Sequence, residues 1–227
     1  MNNLLWQLLA RLLACRPVRA FLIAYAKRTP YQHIMSADGG EMYMGRWWLL
    51  NPYNNETRAS RWPWLPFSAR IHHIMRADQD RDLHDHPWNA RTIILDGWYT
   101  EQRLVEDGSP LHQAIAPPPG AEVTELIHRE AGTSARLRHG EYHRIDEVSP
   151  GGVYTLFITS RYRGTWGFLV DGVKVPWRQY LGLPEAPATN MQQADPELAM
   201  LESYAAPVYV LIGLAGIATA SLLLWTL

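Results

Sequence analysis

Residues 4–25 read LLWQLLARLLACRPVRAFLIAY, with apolar positions recurring at the spacing of a helix face and Gln7, Arg11 and Arg16 breaking the run. Pro17 predicts a kink there, or a division into two helices. From about residue 41 the pattern shortens to strand-like runs. These predict strands at 41–50, 69–75, 91–95, 98–104, 123–128, 135–138, 143–148, 153–160 and 165–170. Turn residues separate them: Asn51-Pro52, Asp96-Gly97, Asp107-Gly108, Pro117 to Gly120, His139-Gly140, Ser149 to Gly152 and Asp171-Gly172. Many short strands so spaced predict an all-β sandwich or barrel. The segment 54–66, rich in Trp, Pro and Arg, is expected as a loop over one mouth of that barrel.

The pattern changes again near the C-terminus. Residues 183–204 hold Pro184, Pro187 and Pro196 among Ala and Gln, which reads as a linker. Residues 205–227 carry no charge at all. As a helix they would extend about 34 Å, enough for a bilayer core of about 30 Å. Tyr204, Tyr209 and Trp225 stand where interfacial aromatics belong. The expected organisation is therefore a helical segment over 1–40, a barrel over 41–182, a linker over 183–204 and a transmembrane helix over 205–227. The first segment either lies on the membrane, with Trp6 and its leucines inserted, or packs on the barrel. A single-pass tail anchor with the barrel in the cytoplasm is the simplest topology.

Composition narrows this picture. A net charge of -1 argues against a nucleic-acid partner. The lone cysteine, Cys15, excludes an intrachain disulfide framework and a Cys-rich zinc site, and is expected as a small apolar helix residue.

The chemistry lies in Leu83-His84-Asp85-His86-Pro87-Trp88 and Gly140-Glu141-Tyr142-His143. On an extended chain the i, i+2 spacing sends the His84 and His86 imidazoles to one face. With His143 they could form a facial metal site with open positions. Asp85, between the two, should point the other way and brace a neighbour.

These residues resemble the two motifs of the cupin superfamily. The three His positions match, as do Gly97, Gly132 and Gly140. Asp78, Ala90, Arg138 and Glu147 stand where those motifs carry Gly, Glu, Pro and Asn. The resemblance covers roughly residues 68–170, and the tract 154–180 is similar to small cupin-like proteins of bacteria and phages. It implies a cupin-type β-barrel and a divalent metal held by His84, His86 and His143. Without the motif's Glu, the ligand set is similar to the three-His site of thiol dioxygenases, which implies Fe(II) first, with Zn, Ni or Mn as alternatives.

Around that site Arg91 is the first candidate to clamp a substrate anion, ahead of Arg70 and Arg161, and Tyr142 the candidate to hold substrate or oxygen. Glu147, four residues past His143, is a candidate outer acceptor for a ligand imidazole. One of the adjacent His72 and His73 should face inward. The expected function is a membrane-anchored, metal-dependent non-haem iron oxygenase acting on a small molecule. The alternative is a non-catalytic ligand- or metal-binding sensor or accessory protein on the membrane.

Overall fold

The computed structural model describes residues 2–36, 39–55, 57–107, 109–118 and 121–184. Most of the expected linker and the whole apolar segment 205–227 lie outside them. Among the described residues, no helix is long and apolar enough to cross a membrane.

The chain opens with two helices, α1 (Asn2–Ala14) and α2 (Arg16–Ala26), with Pro17 in the first turn of the second. Pro is tolerated there because its missing N–H has no partner inside a helix anyway. Cys15 sits exposed at the junction rather than within a helix. Then come β1 (Ile34–Met35), β2 (Met42–Leu50), β3 (Phe67–Ile74), β4 (Ala90–Asp96) and β5 (Trp98–Leu104). A short α3 (Pro110–Ile115) precedes β6 (Thr124–Glu130), β7 (Ser134–Leu137), β8 (His143–Val148), β9 (Val153–Ser160), β10 (Gly167–Val170), β11 (Val173–Pro176) and α4 (Trp177–Tyr180).

Two antiparallel layers result. One is a six-stranded sheet in the order β1-β2-β3-β9-β4-β7. The other begins as β6-β5-β8. It continues through isolated bridges from His84 to His143 and to Phe168, which join it to the β10-β11 hairpin. The stretch Leu83-His84-Asp85 is thus a stitch between two hairpins: His84 exchanges both backbone bonds with His143 at 2.9 Å, and Asp85 N donates to Gly167 O at 3.0 Å. The β10-β11 turn, Asp171-Gly172, has φ of 50° and 76°, the positive pair a two-residue hairpin requires.

Strand alternation sorts the side chains of the six-stranded sheet onto two faces. Outward go Ala69 and Ile71 of β3, Ile93 and Leu95 of β4, and Leu156 and Ile158 of β9, which bury against Trp6 and Ala10 of α1 and Ala26 of α2. Each fully buried Ile or Leu contributes about 1.5–3 kcal/mol. Inward go Ile74, Ile94 and Val153, which meet Tyr99 and Ile145 of the opposite layer.

The N-terminal segment therefore packs on the barrel, and Trp6 is buried there instead of being free to enter a bilayer. Gln7 fixes the contact, donating to Ser134 O and accepting from Ser134 N, both at 3.1 Å. That exchange gives β7, the last strand of its sheet, the partner it lacks on that side.

Candidate metal centre

Three chain segments bring the histidines together. His84 and His86 share a face because Asp85 between them points away: its carboxylate accepts from Gly167 N at 2.7 Å and pairs with Lys174 Nζ at 2.5 Å. His143 opens β8 after the Gly140 turn (φ 83°) and enters through the double bond with His84. One ring nitrogen from each histidine lies within 4.8 Å of the other two. His86 Nε2 and His143 Nε2 are 3.0 Å apart. Nitrogens each about 2.1 Å from one ion at right angles stand about 3.0 Å apart, so this pair is spaced to share a divalent metal, with His84 near enough to join.

Protonation points the same way. Burial, then the neighbouring His143, lowers the His84 pKa to about 4. Burial, then His84 and His143, takes His86 well below its ordinary value. These imidazoles are therefore neutral at pH 7 and have lone pairs to offer.

His143 is oriented by a residue the sequence analysis did not single out. Its Nδ1 lies 3.2 Å from Oε2 of Glu101, a carboxylate buried at 1% exposure on β5. Arg103 and Arg129 pair with Glu101 Oε1 at 3.0 and 2.7 Å. Burial alone would push this carboxyl up, but His143 and the two guanidinium groups outweigh it and hold it at about 2. An ionised carboxylate can only accept, so Nδ1 is the donor of this contact and Nε2 is the ring atom turned towards the other histidines.

The signal for Glu101 was present: it shares the inward parity of Tyr99 on an alternating strand. Glu147, expected in this role, is exposed because β8 bulges opposite β5. The register passes from Thr100↔Glu147 to Glu101↔Ile145, and the extra residue turns Glu147 to the outside.

Two other candidates stand apart from the histidines. Ala90, at the position of the motif's Glu, belongs to the fully buried core, and the next residue, Arg91, points outward under α1. Its guanidinium lies 4.4 Å from the centre of the Trp6 ring and donates to Ser134 Oγ at 3.2 Å. Tyr142 precedes His143 and so faces the other way; burial, then the nearby Asp85 carboxylate, raises its phenol to about 12.

The chamber is instead completed by His72, Arg70 and aromatic rings. His72 is the inward member of its pair, stacked on Phe157 at 4.9 Å, while His73 stacks outside on Tyr154 at 4.0 Å. Trp88 meets His86 edge-on at 4.7 Å, and Phe168 lies 5.9 Å from His84. From the segment expected over one mouth, Arg58, Pro63 and Leu65 line a cavity with Trp88.

No family model and no curated protein matches this chain. Solved structures do. An oxalate decarboxylase from Bacillus subtilis is 12% identical with a TM-score of 0.41, over 68% of this chain and 32% of that one. The Fe(II) form of HppE is 11% identical with a TM-score of 0.35, over 56% of this chain and 55% of that one. A structure from a study of the DMSP lyases RdDddP and RnDddQII is 12% identical with a TM-score of 0.41, over 64% of this chain and 63% of that one. The chain spans about a third of the length of the oxalate decarboxylases it matches. At these identities and TM-scores the likenesses add nothing to what the chain's own geometry shows: two antiparallel β-layers, an N-terminal helical layer and a three-histidine cluster.

Proposed function

We propose that the protein is a metal-dependent enzyme, a non-haem iron oxygenase acting on a small molecule, with His84, His86 and His143 as the ligands. The observation that carries the metal reading is the 3.0 Å approach of His86 Nε2 and His143 Nε2, with His143 locked by Glu101 in the tautomer a ligand needs. A set of three imidazoles with no carboxylate among them is compatible with Fe(II), the metal we favour, and leaves Zn, Ni or Mn as outcomes of the test. When bound, ferrous iron would supply a Lewis-acid centre and a partner for dioxygen beside the substrate. The chain's own part is to orient His143 through Glu101, to keep the His84 and His86 imidazoles neutral by burial, and to wall the chamber with Trp88 and Phe168.

Metal content by mass spectrometry tests this on the full-length protein beside a His84→Ala/His143→Ala double variant. Near-stoichiometric iron in the first and none in the second is expected, followed by oxygen consumption across a panel of small molecules. Equal metal in both sinks the ligand assignment. Stoichiometric metal without turnover favours the sensor or accessory reading.

Membrane attachment is also part of the proposal. It rests on the uncharged 205–227 segment and on Leu4, Leu5, Leu8, Leu12 and Phe21, which stay exposed on the outer side of α1 and α2. Fractionation after alkaline carbonate washing should leave the protein with the membranes; release into the wash would exclude an integral anchor.

A further inference from the structure

Six buried side-chain polar atoms have no hydrogen-bond partner among the described residues. Four of them belong to one stretch of the barrel's inner wall: Arg70 Nε, His72 Nε2, Trp88 Nε1 and Thr159 Oγ1. Arg70 and His72 are consecutive inward residues of β3, and Arg70 lies in register with Phe157 of β9, two positions from Thr159. Trp88 meets Phe157 at 6.1 Å. An unmade hydrogen bond on a buried group costs about 1–3 kcal/mol, so four on one wall call for a physical reason.

Arg70 stands at the centre of this wall. It is buried, yet no carboxylate lies within ion-pair distance among the described residues. Among the described residues its one side-chain hydrogen bond runs from Nη1 to the Tyr53 hydroxyl at 3.3 Å. The rings of Tyr31, Trp48, Tyr53, Trp88 and Phe157 surround its guanidinium carbon at 5.2–5.8 Å. Ring faces stabilise a cation, but they do not accept the in-plane N–H bonds of its fork. Tyr53 and Trp88 also line a cavity of about 430 Å³, whose wall includes Arg58 and Arg161 and, among the described residues, no acidic side chain. Arg91 Nε is also unpartnered, but it lies under α1 and lines no cavity.

We propose that this wall is a carboxylate-binding subsite beside the histidine cluster, with Arg70 receiving a monoanionic organic acid. The acid's apolar body lies along Trp88 and Phe157 towards the cavity. A single deeply buried cation suits one negative charge better than a phosphate dianion. The proposal rests on the reading of this chamber as a small-molecule site, and it names the class of molecule.

The test uses the full-length protein in detergent micelles, with phenylacetate and its neutral isostere phenylacetamide as probes. Affinities are read by calorimetry, and metal content is read on the same samples. The wild type should prefer the acid by about tenfold, the worth of one charged hydrogen-bonded contact. Arg70→Met should erase that preference without changing metal content, and Arg70→Lys, which keeps the charge but loses the fork, should retain part of it.

No preference in the wild type, including no binding of either probe, overturns the proposal, as does a preference that survives in Arg70→Met. Because the preference is measured first on the wild type, a variant that fails to fold does not leave the question open. A wild type without metal that still prefers the acid upholds the subsite and defeats the metal reading. A metal-loaded wild type with no preference does the reverse.

Discussion

The six-stranded sheet shows two different solutions on its two faces, and two buried arginines mark the difference. On the outer face Arg91 is covered by the Trp6 ring and bonded to Ser134, among interlocking aliphatic side chains. On the inner face Arg70 has rings around it, one phenol to donate to, and orphaned neighbours. Under α1 the one orphan is Arg91 Nε, whose guanidinium is otherwise bonded and covered; the inner wall gathers four unpaired polar atoms among the described residues. A folded protein carries such a cost where a site must be ready before its ligand arrives. What separates the two arginines is which side of the sheet each faces.

Substitutions can break this comparison. The largest expected effect is on the inner side: His86→Ala alone should remove essentially all bound metal while far-ultraviolet circular dichroism stays unchanged. A fully loaded variant would show that the cluster holds its ion without that imidazole. On the outer side, Trp6→Ala should cost about 3–5 kcal/mol in urea unfolding by opening a void under α1, with metal stoichiometry untouched. Metal loss in that variant would mean that the two faces are coupled.

Glu101→Gln should weaken metal binding about tenfold to a hundredfold in a competition titration, because a neutral amide holds His143 in its tautomer less firmly. Unchanged affinity would reduce Glu101 to a partner of its arginines. The smallest effects contrast the arginines directly. Arg91→Met should lower stability by about 1 kcal/mol through loss of its ring and hydroxyl contacts. Arg70→Met should be neutral or raise stability by about 1 kcal/mol, since an apolar side chain replaces a buried cation without a counter-charge. The opposite order in urea midpoints would contradict the contrast between the faces.

The strands were legible in the sequence because alternation and turn residues agreed. The runs 98–104, 143–148 and 153–160 coincide with β5, β8 and β9. The hairpin strand β11 was missed because Val173–Pro176 is four residues long and ends in proline. The convergence of His84, His86 and His143 was legible because local spacing and a single turn glycine encode it.

Their surroundings were less so. Arg91 was favoured for its closeness in sequence to the vacant Glu position, yet next-door residues on a strand face opposite ways. Arg70, two positions before His72, had the same parity as that inward ring. Glu147 was lost to a bulge, which shifts parity by one and leaves no mark in the hydrophobic pattern. Glu101 needed knowledge of which strand lies beside β8, a pairing across some forty residues.

The stitch at His84 has a consequence for assembly. Its bridges run to His143 and Phe168, so this seam exists only after β8 and the β10-β11 hairpin have both arrived. An ion held between His86 and His143 would tie this seam like a clasp. Chelation should loosen that seam first and leave the helix-covered sheet standing.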